Sequence, residues 1–389
     1  MRAFTVLVTI GVAALLAVFS PALGLTIVAL LVVVTVHEGG HFLAARSMRL
    51  HTPEFAVGIG PKVVSRKGRD MEWSLRAIPL GGFVRIAGMG NTAMDSASTD
   101  DIPEGKRSWE SLNRAQRAYL AFAGPFANFC LSVVIIGAVL FALGTPKDDL
   151  ARVKTNAGSP AAAAGMRDGD VVVSVDGVKT PTFAKMREQT ATLAAGTSIP
   201  AVVSRNGTTL TLSITPTSAD GRTVLGVQSA PEYRTPSAWE LVSNTAYATR
   251  ELSSATLSGL GQLGNAVVSI PTQIISGESA APEKRLLSPI GAARIAEAST
   301  ERDGWYAPFA LIAASSMFIG AFNLLPLPPL DGGHIAIAVY EGVGSRIRRR
   351  RVVVDMDKLA PFIRAAVSLI LLVGLSSLVL DVFNPINLP

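Results

Sequence analysis

The chain has 389 residues, of which 49% are hydrophobic and only 16% charged, whereas a soluble domain carries about a quarter charged residues. The apolar excess is gathered into blocks long enough to cross hydrocarbon at about 20 residues each, so the composition excludes an ordinary soluble protein and describes a membrane protein. The net charge of +6 is better read as Lys and Arg collected in cytoplasmic loops than as a nucleic-acid surface, since neither a zinc knuckle nor an aromatic-basic stacking pattern is present.

Residues 1–46 form an N-terminal transmembrane region. Two helices are predicted, roughly 4–20 and 25–46, with the break at Ser20-Pro21 and Gly24. The first also has marks of a signal peptide, with Arg2 before it and small residues around Ala22-Leu23-Gly24. The second ends in His37, Glu38 and His41. Residues 47–115 are polar and basic, and Met71 to Ile86 alternates apolar residues around Pro79-Leu80-Gly81-Gly82, the pattern of a β-hairpin or extended loop. Asn91 to Gly105 reads as a linker. Residues 116–144 hold the next span, 118–144, interrupted at Gly124-Pro125. The single cysteine, Cys130, lies in this apolar run and reads as a packing residue.

Residues 148–230 change to short apolar strands rich in Gly, Thr and Ser, the signature of a small soluble domain. A connector over 231–306 follows, with some amphipathic helical pattern at Trp239, Val242 and Ala246. Residues 307–389 hold two last spans, about 307–327 and 360–382, flanking a basic loop at Arg346 to Arg351. The basic loops 47–115 and 340–358 are expected in the cytoplasm and the soluble domain outside. The C-terminus is then outside; the N-terminus is inside if the first helix stays and outside if it does not. The fold class is a polytopic α-helical membrane protein of about four to five spans, with an inserted extracytoplasmic α/β domain and a membrane-associated β-hairpin.

His37-Glu38-Gly39-Gly40-His41 is an H-E-x-x-H motif. On a helix the two histidines, four residues apart, share one face, so both imidazoles can bind one ion with Glu38 beside it. Three ionisable residues at the end of an apolar helix are costly in lipid and by default functional. The competing explanation is an interfacial cap meeting water, which has no need of this spacing. Catalytic zinc needs a third protein ligand and an open position. Asn323 to His334 reads N-L-L-P-L-P-P-L-D-G-G-H, and three prolines in four residues cannot continue a helix. Irregular backbone at the end of a span is tolerated where protein or a water-filled cavity satisfies it, and an Asp held there suits a metal. Asp331 is therefore a candidate ligand, with His334 its rival, an ordinary Asp-Gly turn the competing explanation, and His51 read as solvated.

Together these residues resemble the site-2 protease family of intramembrane zinc metalloproteases, in particular its bacterial regulator-of-sigma-E branch. His37-Glu38-x-x-His41 falls on the family's zinc-binding and catalytic motif, Leu330-Asp331-Gly332 on its third-ligand motif, and Asn323 to Pro328 on its N-x-x-P-x-P element. Ile78 to Val84 looks like the segment that enters the membrane beside the site, and Gly124-Pro125-Phe126-Ala127-Asn128-Phe129 like the signature of the following helix. Ser159-Pro160 through Gly165-Met166-Arg167-x-Gly169-Asp170-x-Val172 resembles the start of a PDZ domain, and a short helix and tight turn are expected there before a strand at 171–176. There is room for one such domain.

The resemblance implies Zn2+ held by His37, His41 and Asp331, with Glu38 the catalytic base. Asn323 is implied to help hold the substrate, and Gly81-Gly82 to offer a strand edge to an unwound one. It also implies a bacterial cell-membrane setting, with substrates such as trimmed single-span anti-sigma factors or remnant signal peptides. The alternative is a non-catalytic PDZ scaffold with a structural metal, for which Glu38 would have no use. A metal transporter is a third reading, but no internal repeat is present.

Overall fold

The computed structural model describes residues 21–89, 102–147, 150–219, 222–230, 232–276, 288–304 and 306–383. The helix expected at 4–20, and most of the linker expected at Asn91 to Gly105, lie outside the described residues. The chain divides into two compact units, one from Leu140 to Asn244 and the other built from the residues before and after it.

In the discontinuous unit, helix α1 (Pro21–Ser47) starts four residues earlier than the sequence suggests. Strands β1 (Glu54–Lys67) and β2 (Glu72–Arg85) follow. Each is bent, so the register resolves into a sheet with four limbs. Residues 54–57 lie between 72–75, which they pair in parallel, and 82–85, which they pair antiparallel; 62–67 pairs antiparallel with 72–76 on the far side. The sequence reading caught β2 and missed its partner, and Pro79 to Gly82 lies within β2 while the turn falls at Gly68 to Met71. Limb 82–85 is thus an edge of the sheet.

Glu54, 3% exposed, fastens the limbs together. Its carboxylate accepts from Ser74 Oγ and Arg76 Nη2, both at 2.7 Å, and has Lys62 Nζ at 3.4 Å and Arg85 Nη2 at 3.5 Å.

Helix α2 (Arg114–Leu143) buries one face, Leu120, Ala121, Gly124, Pro125, Asn128 and Ser132, at helical spacing. Cys130 is exposed, on another side of that helix. This corrects its expected packing role: the small and polar residues, not the cysteine, form the packed seam.

The continuous unit holds β3 (Thr145–Lys147), β4 (Ala151–Thr155), α3 (Pro160–Ala163), β5 (Val171–Val175), β6 (Val178–Lys179) and α4 (Phe183–Ala191). It continues with β7 (Ile199–Arg205), β8 (Thr208–Ile214), β9 (Thr217–Ala219), β10 (Arg222–Val224), β11 (Val227–Ser229) and β12 (Glu232–Arg234). The main sheet runs β11-β4-β5-β7-β8, with β6 on β5. Asn206-Gly207, both at positive φ, form the two-residue turn between β7 and β8. Val153, Val172, Val175, Ala201, Val203 and Ile214 pack the core; Ala201 and Val203 alternate along β7, and a register shift in β5 brings Val175 to the same side as Val172. Ser159 caps the short α3 as its sequence suggests. Asp170, 1% exposed, accepts from Arg205 through both oxygens at 2.8 and 2.7 Å and from the Arg167 N–H at 2.9 Å. Burial alone would raise its carboxyl, but these hydrogen bonds hold it below the usual aspartate value.

The connector is more helical than its Ser, Thr and Gly content suggests: α5 (Ala238–Ser276) has 39 residues and α6 (Pro289–Asp303) has 15. Ser288 caps α6, and its own N–H donates to Asp381 at 2.7 Å. Helix α7 (Ala307–Asn323) stops four residues short of the expected 327. Helix α8 (Asp331–Arg348) then occupies much of what was read as a basic loop, and α9 (Met356–Phe383) closes the chain. Among the described residues, three helices are long and apolar enough to span a membrane, Ala22–Ser47, Arg114–Leu143 and Lys358–Phe383; Ala307–Asn323 is apolar but shorter.

Candidate metal centre

α1 and α2 approach closely because each carries glycine at the contact. A Cβ on Gly40 would stand 2.2 Å from the Ala123 carbonyl oxygen. One on Gly124 would stand 2.3 Å from His41 Nε2 and 2.9 Å from His37 Cε1. Gly124 is therefore the floor on which both imidazoles rest. Helix α7 locks onto the same part of α2 through two side chain to backbone hydrogen bonds. Ser132 Oγ donates to Ala313 O at 2.9 Å and Ser316 Oγ to Asn128 O at 2.9 Å, which satisfies buried hydroxyls where water is absent.

From α7 the chain turns through Leu324 to Leu330 and re-enters a helix at Asp331, the first residue of α8. The aspartate was expected on the broken segment and instead starts the helix after it. Gly332 permits this, since a Cβ there would stand 2.2 Å from the Leu324 carbonyl oxygen. Asp331 Oδ2 lies 3.1 Å from His37 Nε2 and 3.3 Å from His41 Nε2, and the two imidazole nitrogens are 3.2 Å apart. The three side chains are 10%, 14% and 18% exposed.

These atoms fit a metal better than they fit one another. His41 Nδ1 is 2.8 Å from the Leu120 carbonyl oxygen, an acceptor only, so that nitrogen carries the ring proton and Nε2 presents a lone pair. Asp331 Oδ2 is buried and makes no hydrogen bond of acceptable geometry. An acceptor nitrogen on His41 facing a carboxylate calls for a cation between them. A tetrahedral zinc with bonds of about 2.0–2.1 Å has ligand-to-ligand edges of about 3.3–3.4 Å, and the three observed separations fall close to that.

Glu38, between the two histidines, receives the Val84 backbone N–H from the edge limb of the sheet. Gly82 lies against it, for a Cβ there would be 3.1 Å from Glu38 Cγ. Gly81, at φ +94, packs near Ile59. His334 is not part of the cluster; its ring stands edge-on to Trp109 with centroids 6.1 Å apart. His51 is tied by its backbone to Arg107 and Ala87, apart from the cluster. Asn323 donates to Ile319 O in its own helix at 3.0 Å. Sequence reasoning named Asn128, whose carboxamide is 3.2 Å from His37 Nδ1, only within the Gly124 to Phe129 signature and gave it no role, and it missed the Leu120 carbonyl. A lone Asn in an apolar span is the signal that points to the former.

The sequence model of peptidase family M50 matches residues 25–371. The chain is 33% identical to the metalloprotease MmpA of Caulobacter vibrioides, over 81% of this chain and 85% of that protein. It is 30% identical to the zinc metalloprotease Rip1 of Mycobacterium tuberculosis, over 92% of this chain and 96% of that one. It is 28% identical to Rip1 of Mycolicibacterium smegmatis, over 92% and 97%. The family match takes in both histidines, the aspartate nearly three hundred residues later and the helices that hold them. The chain thus belongs to peptidase family M50, the site-2 proteases, and is a membrane zinc metalloendopeptidase.

Proposed function

We propose that this zinc metalloendopeptidase cuts single-span membrane proteins within or beside the bilayer, using His37, His41 and Asp331 as zinc ligands and Glu38 as base. The observation that carries this is the depth of the ligand set. His37 and His41 lie inside the span-length helix Ala22–Ser47, and His37 stands about 15 Å before Ser47 at 1.5 Å per residue. A peptide bond brought there is in the plane of the hydrocarbon.

Zinc bound by these residues supplies Lewis acidity toward the scissile carbonyl and toward a water. Glu38 takes the water's proton as it attacks and passes it to the departing amine. The Val84 N–H, donating to Glu38, fixes the carboxylate in place. A helical substrate must unwind before its carbonyl can be reached, and limb 82–85 presents a sheet edge against Glu38 to receive the opened strand. Gly82 has no side chain to keep that strand away, and Gly81 shapes the approach. Asn323, on the segment before Asp331, helps hold the substrate.

Residues 148–230 act as a PDZ-like domain outside the membrane. β11 is the end strand of its sheet, so an extended peptide can add there, which suits a size filter or a sensor of newly made C-termini. We assign the rest of the chain to an N-terminal transmembrane region 1–46, a basic loop with its hairpin at 47–115 facing the cytoplasm, a span in 116–144, a connector 231–306 and a C-terminal transmembrane region 307–389. The setting is a bacterial cell membrane, and the substrates are of the trimmed anti-sigma factor or remnant signal-peptide type. The test is to incubate the purified protein with tagged single-span substrates and map the product ends by mass spectrometry. Ends inside the apolar span support the proposal. Ends confined to the soluble flanks overturn it.

A further inference from the structure

Asn128 is fully buried in an apolar helix and no part of the hydrolytic chemistry uses it. Its Nδ2 is 3.2 Å from His37 Nδ1, and its Oδ1 is buried without a partner. Its backbone is clamped, because Ser316 donates to its carbonyl and a Cβ on Gly320 would stand 3.2 Å from its Cβ. Only the carboxamide is free to choose an orientation. The two ligand imidazoles have the same need: binding zinc through Nε2 requires the ring proton on Nδ1, facing an acceptor. His41 has that acceptor in the Leu120 carbonyl. The counterpart for His37, among the described residues, is the Asn128 carboxamide beside its Nδ1. As placed, the NH2 group suits the tautomer with the proton on Nε2; a half-turn about Cβ–Cγ swaps two groups of nearly equal size and presents Oδ1 instead.

We propose that Asn128 is a positioning residue for zinc: its Oδ1 accepts the His37 Nδ1–H and so holds the imidazole in the tautomer that ligates through Nε2. The proposal rests on the ligand set given above. It assigns one job to each polar or small group of the Gly124 to Phe129 segment that meets the site. Gly124 gives the rings room and Asn128 orients one of them.

The test is zinc affinity, measured by competition with a chromophoric chelator on the purified full chain, alongside melting temperature with and without zinc. Asn128→Leu keeps similar volume but has no acceptor, and is expected to weaken zinc binding on the order of 10- to 100-fold. Asn128→Asp keeps an acceptor and gains charge; it is expected to bind zinc at least as tightly as wild type and to show the larger zinc-induced rise in melting temperature. Zinc binding by Asn128→Leu at the wild-type level overturns the proposal. So does equal weakening in both variants, the pattern of a packing role. If Asn128→Leu does not fold, Asn128→Asp decides, and weakening of tenfold or more overturns it. A wild-type chain that binds no zinc would instead overturn the ligand set.

Discussion

Gly124→Ala is the smallest change that reaches the centre without touching a ligand. The added methyl would lie 2.3 Å from His41 Nε2 and 2.7 Å from its Cε1, about 1.1 Å inside ordinary van der Waals contact at about 3.4 Å. Neither partner yields easily. His41 is tethered to Leu120 and His37 to Asn128, and both tethers are on α2. If the helix recedes, it takes the tethers along; if the rings move, they leave Asp331. A displacement of about 1 Å at reacting groups costs about 100-fold in rate, or about 2.7 kcal/mol in the barrier. The assay is kcat/KM on a tagged single-span substrate, with zinc content measured on the same sample and circular dichroism as the check on folding. A folded Gly124→Ala protein with wild-type kcat/KM and full zinc would refute this reasoning.

Gly82→Val places a branched side chain between limb 82–85 and Glu38; kcat/KM is expected to fall at least tenfold with zinc content unchanged, read by the same two measurements. Glu54→Gln leaves the cations of Lys62, Arg76 and Arg85 without their shared carboxylate, a loss of about 3 kcal/mol for a buried charge cluster; faster hydrogen exchange confined to 54–85 is the expected readout, and unchanged exchange argues against the clasp. Asp170 has a folded pKa below its unfolded value, so its contribution to stability is complete above about pH 4 and is lost as pH falls through the lower folded value. Asp170→Asn should destabilise residues 151–214 by about 2–3 kcal/mol at neutral pH and flatten the acid limb of their stability; an unchanged acid limb contradicts it.

The parts of the site legible in the sequence are those fixed by local spacing. Two histidines four apart on an apolar helix can only share a face. Asp331 was legible from the prolines before it together with the family motif. What surrounds these ligands was not legible, for three physical reasons. The Leu120 carbonyl is backbone and leaves no mark on residue type. Asn128 and Gly124 act across helices, on residues some 90 positions away, which periodicity within one segment does not reveal. Local composition also misled where tertiary packing overrides it. Strand β1 was hidden in the polar, basic stretch 47–115, although its limb 54–57 is central to the sheet. An Asp-Gly turn was the competing reading at Asp331, yet α8 starts there, and close approach of the 324–328 backbone requires Gly332 and Gly333. The Ser and Thr of 238–276 likewise concealed the length, 39 residues, of a helix whose first turns showed in the pattern of Trp239, Val242 and Ala246.

The central claim is that Glu38 performs proton transfer at a zinc held by other residues. The direct measurement compares wild type with Glu38→Gln, recording both the cleavage rate of an externally trimmed single-span substrate and the zinc bound per chain. The expected result is about one zinc in each protein and a rate lower by at least about 100-fold in the variant. Equal cleavage by the two proteins, at equal zinc, would contradict it.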